Sequence, residues 1–162
     1  MPGPSDRTET AIGLYTAAER TRRDNTIWTQ VQAILAPLQF LVFLISLALV
    51  IRYILTGNGY DLATLSILIK TGFLFAIMIT GAIWEKVVFG QYLLAPAFFW
   101  EDVFSFIVIA LHAAYVVALF GNWLDPQGLM ALALAAYLAY VINAGQFLLK
   151  LRAARLQAEG RA

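Results

Sequence analysis

The sequence predicts an all-α integral membrane protein, a four-helix bundle with an apolar interfacial or re-entrant segment between its second and third spans. Three observations predict it. Of 162 residues, 61% are hydrophobic and 13% charged, whereas ordinary soluble domains run at about half and a quarter. Four stretches supply the roughly 20 apolar residues that a hydrocarbon core of about 30 Å requires of a helix. Cysteine is absent and histidine occurs once, which excludes disulfide frameworks, iron–sulfur clusters, CxxC zinc sites and a haem held between two histidines of one chain. The net charge of +1 removes any electrostatic case for a nucleic-acid partner.

Residues 1–27 form a polar N-terminal segment opening Met1-Pro2-Gly3-Pro4-Ser5. It lacks the apolar core and small-residue cleavage site of a signal peptide, so the first span is expected to stay as an anchor. Residues 28–150 form the membrane domain. Its spans are Trp28–Ile51, Leu62–Trp84 (interrupted by Lys70), Val103–Trp123 (carrying His112) and Leu129–Leu149. Gly57-Asn58-Gly59 turns the chain after the first span, and Gly121-Asn122-Trp123-Leu124-Asp125-Pro126 after the third. Pro37 is expected to kink span one. Residues 151–162 are a basic C-terminal tail.

Orientation follows from the cations. Arg7, Arg20, Arg22, Arg23, Lys86, Lys150, Arg152, Arg155 and Arg161 fall on one side; Arg52 and Lys70, assigned to the first hairpin, fall on the other. The positive-inside rule then puts both termini in the cytoplasm. Val87 to Phe99 is the odd connection: thirteen uncharged residues, too short to span and too apolar for a solvated loop, bracketed by Glu85-Lys86 and Glu101-Asp102. It reads either as an interfacial or re-entrant segment lining a cavity, broken near Gly90 and Pro96, or as an amphipathic linker lying flat at the headgroups.

Helical spacing sorts the polar residues into stripes. Glu101, Ser105, His112 and Tyr115 share one on span three; Trp28, Gln32, Gln39, Phe43 and Ser46 one on span one; Tyr140, Asn143, Gln146 and Lys150 one on span four. On span two Glu85 lies over Gly81 and Met78. Four such stripes predict a single shared pocket in which the carboxyls meet His112, because ionisable groups in a bilayer turn inward. Each residue also has a plainer use. Glu101-Asp102 can cap the third span and complement its dipole, Glu85-Lys86 can mark an interface, and Gln32, Gln39, Asn143 and Gln146 can bind helix to helix. Small-residue rows at Ala110, Ala114 and Ala118 and at Ala131, Ala135 and Ala139 are expected to be packing seams.

The run Gly81-Ala-Ile-Trp-Glu-Lys-Val-Val-Phe-Gly-Gln-Tyr-Leu-Leu-Ala-Pro-Ala-Phe-Phe-Trp-Glu-Asp-Val-Phe-Ser105, with Trp28-Thr-Gln-Val-Gln-Ala-Ile-Leu-Ala-Pro-Leu-Gln-Phe40, resembles the bacteriochlorophyllide 3-vinyl hydratase family of bacterial photosynthesis. The similarity extends over most of Trp28–Ala118. It implies addition of water across the C3 vinyl group of chlorophyllide a or 3-vinyl bacteriochlorophyllide, giving a 1-hydroxyethyl group. No separate cofactor is expected, the magnesium belonging to the substrate. The location implied is a bacterial inner or intracytoplasmic membrane. The partners implied are the tetrapyrrole, water and lipid, with self-association or association with other pigment-pathway enzymes a further expectation.

Such chemistry needs a neutral acid, a base and a flat apolar slot. Glu101 is the favoured acid and Glu85 or Asp102 the base. His112 is an alternative proton relay or axial contact to the substrate magnesium. Trp84, Tyr92, Phe98, Phe99 and Trp100 would sandwich the ring, and Lys86 or Lys150 would meet its propionate. Gln91, Gln32, Gln39, Asn143 and Gln146 complete the expected lining. Two other classes compete: a non-catalytic chlorin carrier or assembly factor, which needs the slot without the acid–base pair, and a proton or ion conduit, disfavoured by the apolar periplasmic halves.

Overall fold

The computed structural model describes residues 13–160; Met1 to Ser5, Arg7 and Arg161 lie outside the described residues. A short helix α1 (Ala17–Asn25) precedes four long ones: α2 (Ile27–Thr56), α3 (Tyr60–Phe89), α4 (Phe99–Gly121) and α5 (Pro126–Glu159). All four are long and apolar enough to cross a membrane, and no strand occurs among the described residues. Four spans return the chain to the side on which it started.

Local chemistry sets the ends. Thr16 caps α1 in a reciprocal box with Glu19, the Ser/Thr-x-x-Glu pattern that satisfies two orphan amides at once. Gly57 and Gly59, at φ +70° and +87°, make the tight turn between α2 and α3, and Gly90, at +86°, ends α3. Asp125 caps α5, with Pro126 in its first turn. Helix α2 runs unbroken through Pro37.

The helices pair as two hairpins, α2 with α3 and α4 with α5. These meet through α2–α5 and α3–α4, and α1 lies against α3. Buried side chains line the seam between hairpins: Phe43, Val50, Ala63, Ile67, Leu74, Val108, Tyr115, Ala133, Ala136, Tyr137 and Tyr140. Burying the polar stripe of α4 turns Ala110 and Ala114 outward, and Ala131 and Ala135 of α5 are likewise exposed. The expected packing seams therefore face lipid except at Ala118 and Ala139, and the fully buried alanines of the spans are Ala63, Ala133 and Ala136 instead.

Lys70 also departs from expectation. It does not lie at the first hairpin but is fully buried on the inner face of α3, where Nζ donates to His112 Nε2 at 2.7 Å and sits 3.8 Å from the Tyr140 ring centroid. A charge in the apolar stretch of a span is so costly against lipid that it turns to the interior. Only Arg52 then remains as the cation near the α2–α3 turn. A second polar tie joins the hairpins where Ser46 hydrogen-bonds both Ser66 and Tyr137.

That tie makes an asymmetric prediction. Tyr137→Phe leaves Ser46 paired with Ser66 and should cost about 0.5–1 kcal/mol in reversible detergent unfolding. Ser46→Ala strips the buried Tyr137 hydroxyl of its partner and should cost about 1–3 kcal/mol.

Candidate active site

The site is built where the chain leaves the helix. Val87–Phe89 continue α3, so the non-helical connection is Gly90 to Phe98. It folds back on the adjoining helix ends instead of running free. Leu94 stands at φ +61°, a left-handed conformation that costs a leucine about 1–2 kcal/mol. Its amide donates to Asp102 Oδ2 at 2.8 Å, and the next amide, Ala95, donates to Glu85 Oε2 at 3.3 Å. The strain is thus held by two successive N–H groups aimed at two carboxyls. Glu85 from α3 and Asp102 from α4 face one another, and both are buried.

Glu101, one residue away, belongs to a different arrangement. Its carboxylate accepts from Lys150 Nζ at 2.9 Å. Its backbone carbonyl accepts from Asn143 Nδ2 at 3.0 Å and from the Ser105 hydroxyl at 2.8 Å. The same Ser105 proton is shared with Asn143 Oδ1 at 3.0 Å, and Asn143 donates to Gln146 Oε1 at 3.3 Å. This network locks the start of α4 to α5. Glu101 therefore stands apart from the facing carboxyls, as the anchor of an interhelical network.

The aromatic residues divide. Trp84 and Phe98 join Tyr15, Phe89 and Phe147 in a cluster beside the carboxyls, with Phe98 stacked on Phe147 at 5.8 Å and Tyr15 on Phe89 at 5.8 Å. Tyr92, Phe99 and Trp100 point outward, Trp100 being 71% exposed. The rings expected around one slot are thus split between an inner packed cluster and an outer exposed apolar face. Lys86 is exposed and spans back to the Gly90 carbonyl at 2.8 Å, near the Tyr92 ring. Gln91 donates to the Leu93 carbonyl at 2.9 Å within the connection.

His112 is not brought to the carboxyls. It lies eleven residues beyond Glu101 on α4, about 16 Å away at 1.5 Å per residue. Its Nδ1 meets the Val108 carbonyl at 2.7 Å. A carbonyl only accepts, so Nδ1 carries the hydrogen and Nε2 is the acceptor for Lys70. Both ring nitrogens are engaged, leaving no lone pair for a magnesium ion. The expected meeting of carboxyls and imidazole around one crevice is corrected to two separate polar centres, because Lys70 outcompetes a distant carboxyl for the imidazole. Gln32 is a helix tie, donating to Thr80 Oγ1 at 2.6 Å. Gln39 is buried, and its Nε2 has no hydrogen-bond partner among the described residues.

Four parts of the site were not foreseen. The amides of Leu94 and Ala95 carry no side-chain signature. Lys70 was visible as the one charge inside span two, which in a bilayer is itself a signal. Phe147 follows Gln146 on α5, and as one apolar residue among many in that span it carries no distinguishing signal. Helix α1 carries a capping signature at Thr16-Ala17-Ala18-Glu19 and closes over the cluster. Arg22 Nε donates to the Val88 carbonyl at 2.8 Å, and Arg23 lies 4.7 Å from the centroid of the Tyr15 ring. Burial pushes the Tyr15 phenol above its ordinary range, so it sits as a neutral ring in the cluster.

Paired carboxyls held by backbone amides at the end of a membrane bundle, beside an aromatic wall, mark an integral membrane protein with a buried acidic pair at one end. A sequence model of the 2-vinyl bacteriochlorophyllide hydratase (BCHF) family matches residues 15–153. The 2-vinyl bacteriochlorophyllide hydratase of Rhodobacter capsulatus is 71% identical over 145 residues, covering 90% of this chain and 84% of its own. That of Cereibacter sphaeroides is 71% identical over 147 residues, covering 90% and 91%. No solved structure matches the chain. The chain belongs to the 2-vinyl bacteriochlorophyllide hydratase family, and is thereby a hydro-lyase of bacteriochlorophyll biosynthesis.

The Glu101 network predicts that Asn143→Ala, which removes two buried hydrogen bonds of α5 to the Ser105 hydroxyl and the Glu101 carbonyl while leaving those two groups bonded to each other, lowers stability by about 1–3 kcal/mol in detergent unfolding, at about 0.5–1.5 kcal/mol per bond. Lys150→Met, at a partly exposed ion pair, should cost less than about 1 kcal/mol in the same measurement.

Proposed function

We propose that the chain adds water across the C3 vinyl group of a chlorophyllide a or 3-vinyl bacteriochlorophyllide substrate, giving a 1-hydroxyethyl group, with Glu85 and Asp102 as the acid–base pair. The observation that carries this reading is the convergence of those two carboxyls beneath the Leu94 and Ala95 amides. A proton passes from one carboxyl to the terminal vinyl carbon, and the cation spreads into the macrocycle. Water then attacks the inner carbon and yields its proton to the other carboxyl. Two adjacent carboxyls can share one proton, which supplies both roles from one pair. The cycle consumes one water and leaves the pair as it began.

Glu101, tied to Lys150, is assigned to positioning the start of α4. The exposed rings of Tyr92, Phe99 and Trp100 offer an apolar landing face to a planar substrate arriving through lipid. Lys86, exposed beside Tyr92, is placed to meet the substrate's propionate. The reaction as written uses no resident cofactor, and the magnesium travels with the substrate. We assign both termini to the cytoplasm of a bacterial inner or intracytoplasmic membrane. Arg20, Arg22, Arg23, Lys86, Lys150, Arg152 and Arg155 crowd the end that carries the carboxyls, whereas Arg52 stands near the opposite turn.

The test uses membranes supplied with vinyl chlorophyllide and water labelled with oxygen-18, read by pigment mass spectrometry. Wild type should yield labelled hydroxyethyl product. Glu85→Gln and Asp102→Asn should each lower kcat by about 100-fold or more. Wild-type rates in both variants would remove the pair from the reaction. Pigment bound by the wild-type protein without incorporation of label would instead mark it as a carrier.

A further inference from the structure

We infer that the seam between the two hairpins is a hydrated polar column, binding water at Gln39, Thr64 and Tyr115 and feeding it to the carboxyl pair from within the bundle. Its role as a supply rests on the proposed hydration reaction; its hydration does not.

Polar groups recur along the seam from one end of the bundle to the other. From the α2–α3 turn inward, Tyr53 stacks edge-on against Tyr60, and the Thr64 and Tyr115 hydroxyls follow as neighbours. Next come Ser66, Ser46 and Tyr137, joined by hydrogen bonds, then Lys70, His112 and Tyr140. Ser46 meets Tyr137, and Phe43 packs on Tyr140 at 5.0 Å. In the antiparallel α2–α5 pair, Gln39, one turn earlier on α2, therefore comes level with Asn143. Below it lie Ser105, Asn143 and Glu101, and then the carboxyl pair. Thr64 to Glu85 is 21 residues of one helix, about 30 Å at 1.5 Å per residue, roughly the hydrocarbon thickness.

Among the described residues, three buried polar side-chain atoms have no hydrogen-bond partner: Gln39 Nε2, Thr64 Oγ1 and Tyr115 Oη. All three belong to this column. An unpaired polar group buried away from water costs about 1–3 kcal/mol, and lipid chains have nothing to offer it. Water is the smallest ligand that both donates and accepts, and proteins hold about one buried water per 27 residues, or about six here, enough for one site shared by the neighbouring Thr64 and Tyr115 hydroxyls and another at Gln39. Once a planar substrate covers the interfacial face, bulk water is shut out there. The reaction still consumes one water per turnover, and the column gives it a separate route.

Hydroxyl-radical footprinting of the wild-type full chain in nanodiscs tests the hydration directly, since radicals generated from bound water mark the side chains beside it. Tyr115 and Tyr137, both buried, should be modified at least tenfold faster than the lipid-facing Phe106. Modification no faster than Phe106 would overturn the proposal. Thr64→Val should cut labelling of Tyr115 several-fold. Gln39→Leu should lower kcat several-fold with KM unchanged, a split that general loosening of the fold would not give. Labelled tyrosines with an unaltered kcat in Gln39→Leu would keep the waters and overturn the supply role. Full activity in Glu85→Gln and Asp102→Asn would overturn the assigned chemistry while leaving the footprint unaffected.

Discussion

A polar group inside a bilayer has to find its partner within the protein, because lipid offers none. At the end of the α2–α5 bundle that requirement is met by backbone. The chain breaks its helix at Gly90, turns through a left-handed leucine, and presents two consecutive amides to the carboxyls of Glu85 and Asp102. The connection could not be a solvated loop without exposing its apolar residues, nor a helix without withdrawing those amides. The strain at Leu94 is the local cost of holding two acidic side chains together in a poorly solvated place.

The same requirement divides the interior into two centres. Lys70 and His112 satisfy one another near the middle of the bundle, while Glu101, Lys150, Asn143 and Ser105 do so nearer the connection. Glu101 thereby joins α4 with α5, and the facing pair lies on its other side. Two carboxyls adjacent in sequence, Glu101 and Asp102, acquire different tasks because successive helical positions point about 100° apart. One turns toward α5 and the other toward α3.

The aromatic cluster is closed partly by a segment outside the bundle. Tyr15 packs among Trp84, Phe89 and Phe98, and Arg22 ties α1 to the end of α3. The connection and α1 therefore cover this end of the bundle together.

Composition and periodicity alone determined four apolar helices, their turns at Gly57-Asn58-Gly59 and before Pro126, and the oddness of the stretch from Val87 to Phe99. Hydrophobic length and turn chemistry are local, so they can be read along the chain. The stripes likewise told which faces of α4 and α5 are buried, since burial follows helical spacing. What spacing could not supply was partnership. Whether His112 meets Glu101 or Lys70, whether Glu101 meets Asp102 or Lys150, and whether Tyr92 and Trp100 face inward or outward depend on how helices far apart in sequence are rotated and shifted against one another. Backbone amides leave no trace in residue type, so Leu94 and Ala95 were invisible until the fold aimed them. The sequence determined what must be buried; only the tertiary structure decided which groups are buried together, because pairing inside a bilayer is settled by distance between helices and not by order along any one of them.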